Sequence, residues 1–117
     1  MGTKEIEIKD LGKVVIRELN NDDRELIQNE STEIVGTGKL KQVKPKIGTL
    51  NKYTFILGIS KAPFFKTDIV DYCTPETLKE RFIEYQKINY NIIQTIIQEI
   101  ADFNNLDEEE FDNLKKS

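Results

Sequence analysis

The sequence predicts an α+β fold that is mostly α-helical: an N-terminal β-hairpin packed on about four helices, with one long C-terminal helix. Three observations carry this. Between residues 74 and 103, Leu78, Phe82, Tyr85, Ile88, Ile92, Ile96, Ile100 and Phe103 recur at steps of three or four, the repeat that stacks side chains on one helix face. Residues 4–19 instead alternate with a period of two around a turn. Finally, 117 residues with 38% hydrophobic and 32% charged side chains suit one domain, 1–117, with a modest core and a highly charged surface.

In the hairpin at 4–19, Ile6 and Ile8 alternate with Glu5, Glu7 and Lys9, Asp10-Leu11-Gly12 supplies the turn, and Val14-Val15-Ile16 returns. A hairpin alone is marginal in water, so its apolar face is expected to lie on a helix. Asn20 or Asn21 caps a helix over about 21–30, with Asp22, Asp23 and Glu25 in the first turn and Leu26 and Ile27 facing inward. Residues 33–48 form a basic link with Gly36, Gly38, Pro45 and Gly48, expected to be mobile and holding at most short strand pieces.

A second helix spans about 50–61, apolar nearly all round and so expected at the centre of the domain. Ala62-Pro63 ends it, and Phe64 and Phe65 follow as anchors. Thr74 caps the long helix of about 75–103, and Pro75 takes its first position. Asn89 and Asn91, weak helix formers, mark where it bends or divides. Asp107 and Glu110 have capping-box spacing for a short helix over about 107–116.

The composition excludes several chemistries. With no histidine and only Cys73, there is no His/Cys zinc site and no Cys–His or Ser–His nucleophilic pair, and the lone thiol reads as structural in a reducing compartment. No glycine loop of the phosphate-cradling types is present, and the acidic pairs lack EF-hand spacing. The expectation is therefore no enzyme, no cofactor and no metal. No secretory signal or membrane-crossing run is read in the sequence, which points to the cytoplasm.

Charge is uneven along the chain. Residues 34–61 carry six lysines and no acidic side chain, while both flanking regions are net acidic. A lysine-rich loop can meet phosphates, but few arginines, no aromatics among the lysines and a pI near 5.0 weigh against nucleic acid.

The order of elements has a counterpart. The hairpin ends in Val14-Val15-Ile16-Arg17-Glu18-Leu19 and runs straight into Asn21-Asp22-Asp23-Arg24-Glu25-Leu26. A Gly/Lys-rich link leads to a helix ending in Tyr53-Thr54-Phe55-Ile56-Leu57-Gly58-Ile59-Ser60-Lys61-Ala62-Pro63-Phe64. A Pro-started helix and an acidic tail, Asn104 to Glu110, complete the layout. This resembles the tail assembly chaperones of long-tailed bacteriophages and prophages. The resemblance implies a helical protein of the host cytoplasm that coats the tape-measure protein, recruits tail-tube subunits and is absent from the finished particle.

A client would meet exposed apolar helix faces and the basic link. The expected contact residues are Phe64, Phe65, Tyr85, Ile93 and Ile97, with Lys39, Lys41, Lys44 and Lys46, and charge complementarity between basic link and acidic termini would favour a homo-oligomer. The alternative is a small nucleic-acid-associated regulator that dimerises through the long helix and uses lysines 39–46.

Overall fold

The computed structural model describes residues 2–106. β1 (Thr3–Ile8) and β2 (Gly12–Arg17) form the expected antiparallel hairpin, with Ile6 opposite Val14 and Glu7 opposite Lys13. Its turn uses left-handed backbone at Asp10 (φ 67°) and Gly12 (φ 108°), residue types that tolerate it. Asn20 caps α1 (Asn21–Glu30) in a full capping box: its side chain accepts from the Asp23 N–H, and Asp23 accepts from the Asn20 N–H.

The short strand pieces allowed for in the basic link pair with each other as a second hairpin, a pairing the sequence reading did not anticipate. β3 (Thr32–Val35) and β4 (Gln42–Pro45) pair antiparallel around a 3₁₀ turn at Gly38–Leu40. Gly36 (φ 90°) is what allows the reversal: a Cβ there would stand 2.5 Å from the Leu40 carbonyl oxygen. The strands are short and their outer residues exposed, which is why their pattern is weak in the sequence.

α2 (Ile47–Leu57) is central, as its all-round apolar surface requires: Phe55, Ile56 and Leu57 are fully buried. It stops at Gly58, not at residue 61. The β-branched Ile59 opens β5 (Ile59–Lys61), which adds antiparallel to β2 and gives the strand order β1-β2-β5. The tertiary ladder overrides the helical continuation: Arg17 N–H donates to the Gly58 carbonyl, and Ile69 N–H donates to that of Ser60.

The expected single helix over 75–103 is two. α3 (Pro75–Tyr85) starts as predicted, with Thr74 accepting from the Thr77 N–H and Pro75 in the first turn. α4 (Tyr90–Phe103) starts afresh because Asn89 caps it, accepting from the Asn91 N–H at 2.8 Å. An asparagine side chain competes for backbone donors, so it favours a cap over a helix interior. The described residues thus hold four α-helices and two small antiparallel sheets, one of three strands and one of two. The helix expected over 107–116 lies outside the described residues.

The main core joins Val14 and Ile16 of β2, Phe55 and Ile56 of α2, Ile59 of β5, and Ile93, Ile96, Ile97 and Ile100 of α4. A second cluster, Leu19, Ile27, Leu50 and Leu57, sits between α1 and α2. No helix among the described residues is long and apolar enough to cross a membrane.

Candidate partner-binding surface

The most exposed concentration of apolar and basic side chains is the β3–β4 hairpin. Lys39, Lys41, Lys44 and Lys46 are all exposed, and so are Ile34 (70%), Leu40 (78%) and Val43 (70%). The four lysines thus follow one another along this segment, Lys39 and Lys41 at the turn, Lys44 on β4 and Lys46 just after it. Ile34 stands directly opposite Val43, and Glu33 opposite Lys44.

The hydrogen-bond phase of this ladder follows from one bond. Lys46 N–H donates to the Ser31 carbonyl, so in antiparallel alternation the 33/44 and 35/42 pairs exchange hydrogen bonds and the 34/43 pair does not. Non-bonded pairs bring side chains closer, with Cα atoms about 4.5 Å apart. Ile34 and Val43 therefore form one continuous aliphatic patch. The same phase points the nitrogen of Pro45 away from β3, where its missing N–H breaks no ladder bond.

The apolar residues expected at a partner surface lie elsewhere. Phe65, Ile93 and Ile97 are 5%, 5% and 4% exposed and belong to the main core. Phe64 and Tyr85 are half-buried around Phe55: Phe64 stacks on it at 5.8 Å and Tyr85 meets it edge-on at 5.5 Å. The apolar face of α4 is covered by β2 and α2 of its own chain, so it offers no open helix face. A stripe at helical spacing shows that a face is buried, but not what buries it.

Sequence reasoning also missed two buried arginines. Arg17 Nη1 lies 2.9 Å from Asp23 Oδ2 and donates to the Leu57 carbonyl at 2.7 Å, while Nη2 donates to that of Asp71. Arg81 has no carboxylate partner among the described residues. Its Nη1 donates to the carbonyls of Ile56 and Ile59, its Nη2 to those of Ser60 and Thr67, and its Cζ sits 4.3 Å over the Phe65 ring. Burial pulls the Arg81 guanidinium down to about 10. The planar five-donor fork suits this work: Arg81 gathers the end of α2, β5 and the loop after it into one knot. The available signal was Arg81 falling on the Leu78–Phe82–Tyr85 face, where a cation must find acceptors.

Both arginine side chains are buried, and all their hydrogen bonds here go to groups of the fold itself. Among the described residues, no group of three or more Cys, Asp or Glu side chains is placed to hold a metal ion. Cys73 is half-buried, its thiol 3.5 Å from the Thr74 carbonyl oxygen and pushed up by burial, which disfavours the reactive thiolate. Comparison with protein-family models, curated proteins and solved structures finds no match to this chain.

Proposed function

We propose that the chain is a non-enzymatic assembly protein of the tail-chaperone kind, acting in the host cytoplasm, and that it grips its clients through the β3–β4 hairpin. The resemblance names the clients: the tape-measure protein first, then tail-tube subunits. The observation that carries the reading is the Ile34–Val43 patch, exposed on a ribbon that also holds Lys39, Lys41, Lys44 and Lys46. Contiguous exposed apolar side chains mark interaction sites, whereas singly scattered ones are ordinary surface, and here Ile34 and Val43 stand side by side. The helix face of α4 is occupied, so the hairpin takes the role that face was expected to play.

Co-expression with a tape-measure fragment tests this. Wild-type chain should co-purify with the fragment, and the Ile34→Ser/Val43→Ser double variant should not. Failure of the wild type to co-purify, or equal retention by the variant, overturns the reading.

The clustering of four lysines also favours, secondarily, the nucleic-acid-associated regulator. It would show as a salt-sensitive duplex-DNA shift lost when these lysines become glutamine. The buried α4 face removes the dimer contact on which that reading relied.

A further inference from the structure

The hairpin has a chemistry that narrows its client, and we infer that it takes an acidic polypeptide segment with alternating aliphatic residues, added as a strand along β4; this rests on the binding role proposed above. Charge is the first argument. Residues 34–61 hold no acidic side chain, and among the described residues none of Lys39, Lys41, Lys44 or Lys46 makes an ion pair. The hairpin's one carboxylate, Glu33, is on β3 and stands opposite Lys44, so the excess positive charge lies along β4 and its flanks.

Backbone supplies the second argument. Among the described residues β4 pairs with β3 alone, so its other edge is free. The ladder phase set by the Lys46 N–H bond turns the N–H and C=O of Val43 toward that edge, with the C=O of Pro45 beside them. An incoming strand therefore finds a donor and acceptors there.

Side-chain alternation supplies the third. Val43 and Lys44 point to opposite faces of the ribbon, Val43 sharing its face with Ile34. A strand alternating carboxylate and aliphatic side chains matches both faces at once, whereas phosphates would leave Ile34 and Val43 wet. That is why a polypeptide, and not a nucleic acid, is the better occupant.

The probe is a short fluorescent peptide of alternating glutamate and valine, read by anisotropy against the full chain. Controls are lysine–valine and glutamate–serine peptides, duplex DNA, and vesicles of phosphatidylserine and phosphatidylcholine. The glutamate–valine peptide should bind, weaken as salt is raised, and lose about tenfold or more in affinity both for Lys41→Gln/Lys44→Gln/Lys46→Gln and for Ile34→Ser/Val43→Ser. All five positions lie on the surface or half-open ribbon, and circular dichroism checks that the variants stay folded. Equal binding of the lysine–valine peptide, or tighter lysine-dependent binding of DNA or vesicles, overturns the inference. So does self-association, seen by light scattering, that the same substitutions abolish, since a second copy is then the occupant. If the peptide fails while the tape-measure fragment still needs Ile34 and Val43, the acidic-strand inference falls and the binding role stands. If neither needs them, both fall.

Discussion

Arg17 and Asp23 form a buried ion pair, Nη1 to Oδ2 at 2.9 Å, with side chains only 1% and 7% exposed. The same carboxylate oxygen accepts from the Asn20 N–H, so one group closes the α1 capping box and neutralises the last residue of β2. Through Arg17 it also reaches the end of α2 at Leu57 and the loop at Asp71. Four segments meet on one pair.

Removing the carboxylate should therefore cost far more than a surface pair would. In Asp23→Ala the guanidinium stays buried without its counter-charge and α1 loses half its cap. The expected loss is about 3–5 kcal/mol, measured by urea unfolding. A loss below about 1 kcal/mol would show that Leu57 and Asp71 carbonyls suffice for the cation.

Gly58, the residue that ends α2, lies against Ile100 of α4. A Cβ there would stand 2.6 Å and 2.7 Å from the Ile100 methyls and 2.7 Å from the Thr54 carbonyl. Ile100 is fully buried and cannot swing clear. Although alanine favours helices, Gly58→Ala should destabilise by about 1–3 kcal/mol in the same assay, because the overlap forces the helices apart. A neutral or stabilising result would mean the Ile100 side chain repacks freely.

How far the sequence could be read is clearest at these residues. The β1–β2 alternation, the Asn20 cap and the Thr74-Pro75 start are local signals, and each appears where it was expected. Arg17 and Arg81 are not local: their partners are up to 54 residues away, and nothing in composition shows that carbonyls will converge on them. The β3–β4 ribbon is legible only in its glycines, since its four-residue strands carry little pattern. The Ile93–Ile97 face was expected to meet a client, but periodicity shows only that a face is apolar and does not say what covers it. Hence Phe65, Ile93 and Ile97, expected at a partner surface, are core, Phe64 and Tyr85 are half-buried, and the four lysines are exposed.

Alkaline pH gives a test with a definite sign. Burial raises the Cys73 thiol above its ordinary 9.0, with the Arg81 guanidinium opposing that rise, and it raises the Tyr53 and Tyr85 hydroxyls above 10.0. In each case the unfolded chain loses its proton first. The stability these groups contribute is thus complete below pH 9.0 and is lost as pH climbs through the raised values. Unfolding midpoints should fall from about pH 9 upward, first through the thiol. Arg81, pulled down to about 10, works in the opposite direction, but only once pH nears that value. Cys73→Ala should remove the first part of the slope and leave the part above pH 10. A flat profile between about pH 8 and 10, identical in both proteins, would contradict the burial argument.

The sharpest contrast separates the open patch from the buried face. Ile34 and Val43 lose little water-exposed area on folding, so Ile34→Ser/Val43→Ser should move stability by no more than about 0.5 kcal/mol, even while it removes client binding. Ile96, fully buried between β2 and α2, lies on the helix stripe that suggested an open surface. Ile96→Ala should cost about 2–5 kcal/mol through lost burial and a residual cavity. Thermal and urea unfolding of the two variants side by side decides the matter. If the hairpin variant is the destabilised one, the ribbon packs on the body of the protein in solution and is no free surface. If Ile96→Ala is silent, the α4 face is not core, and the helix regains its standing as a client surface.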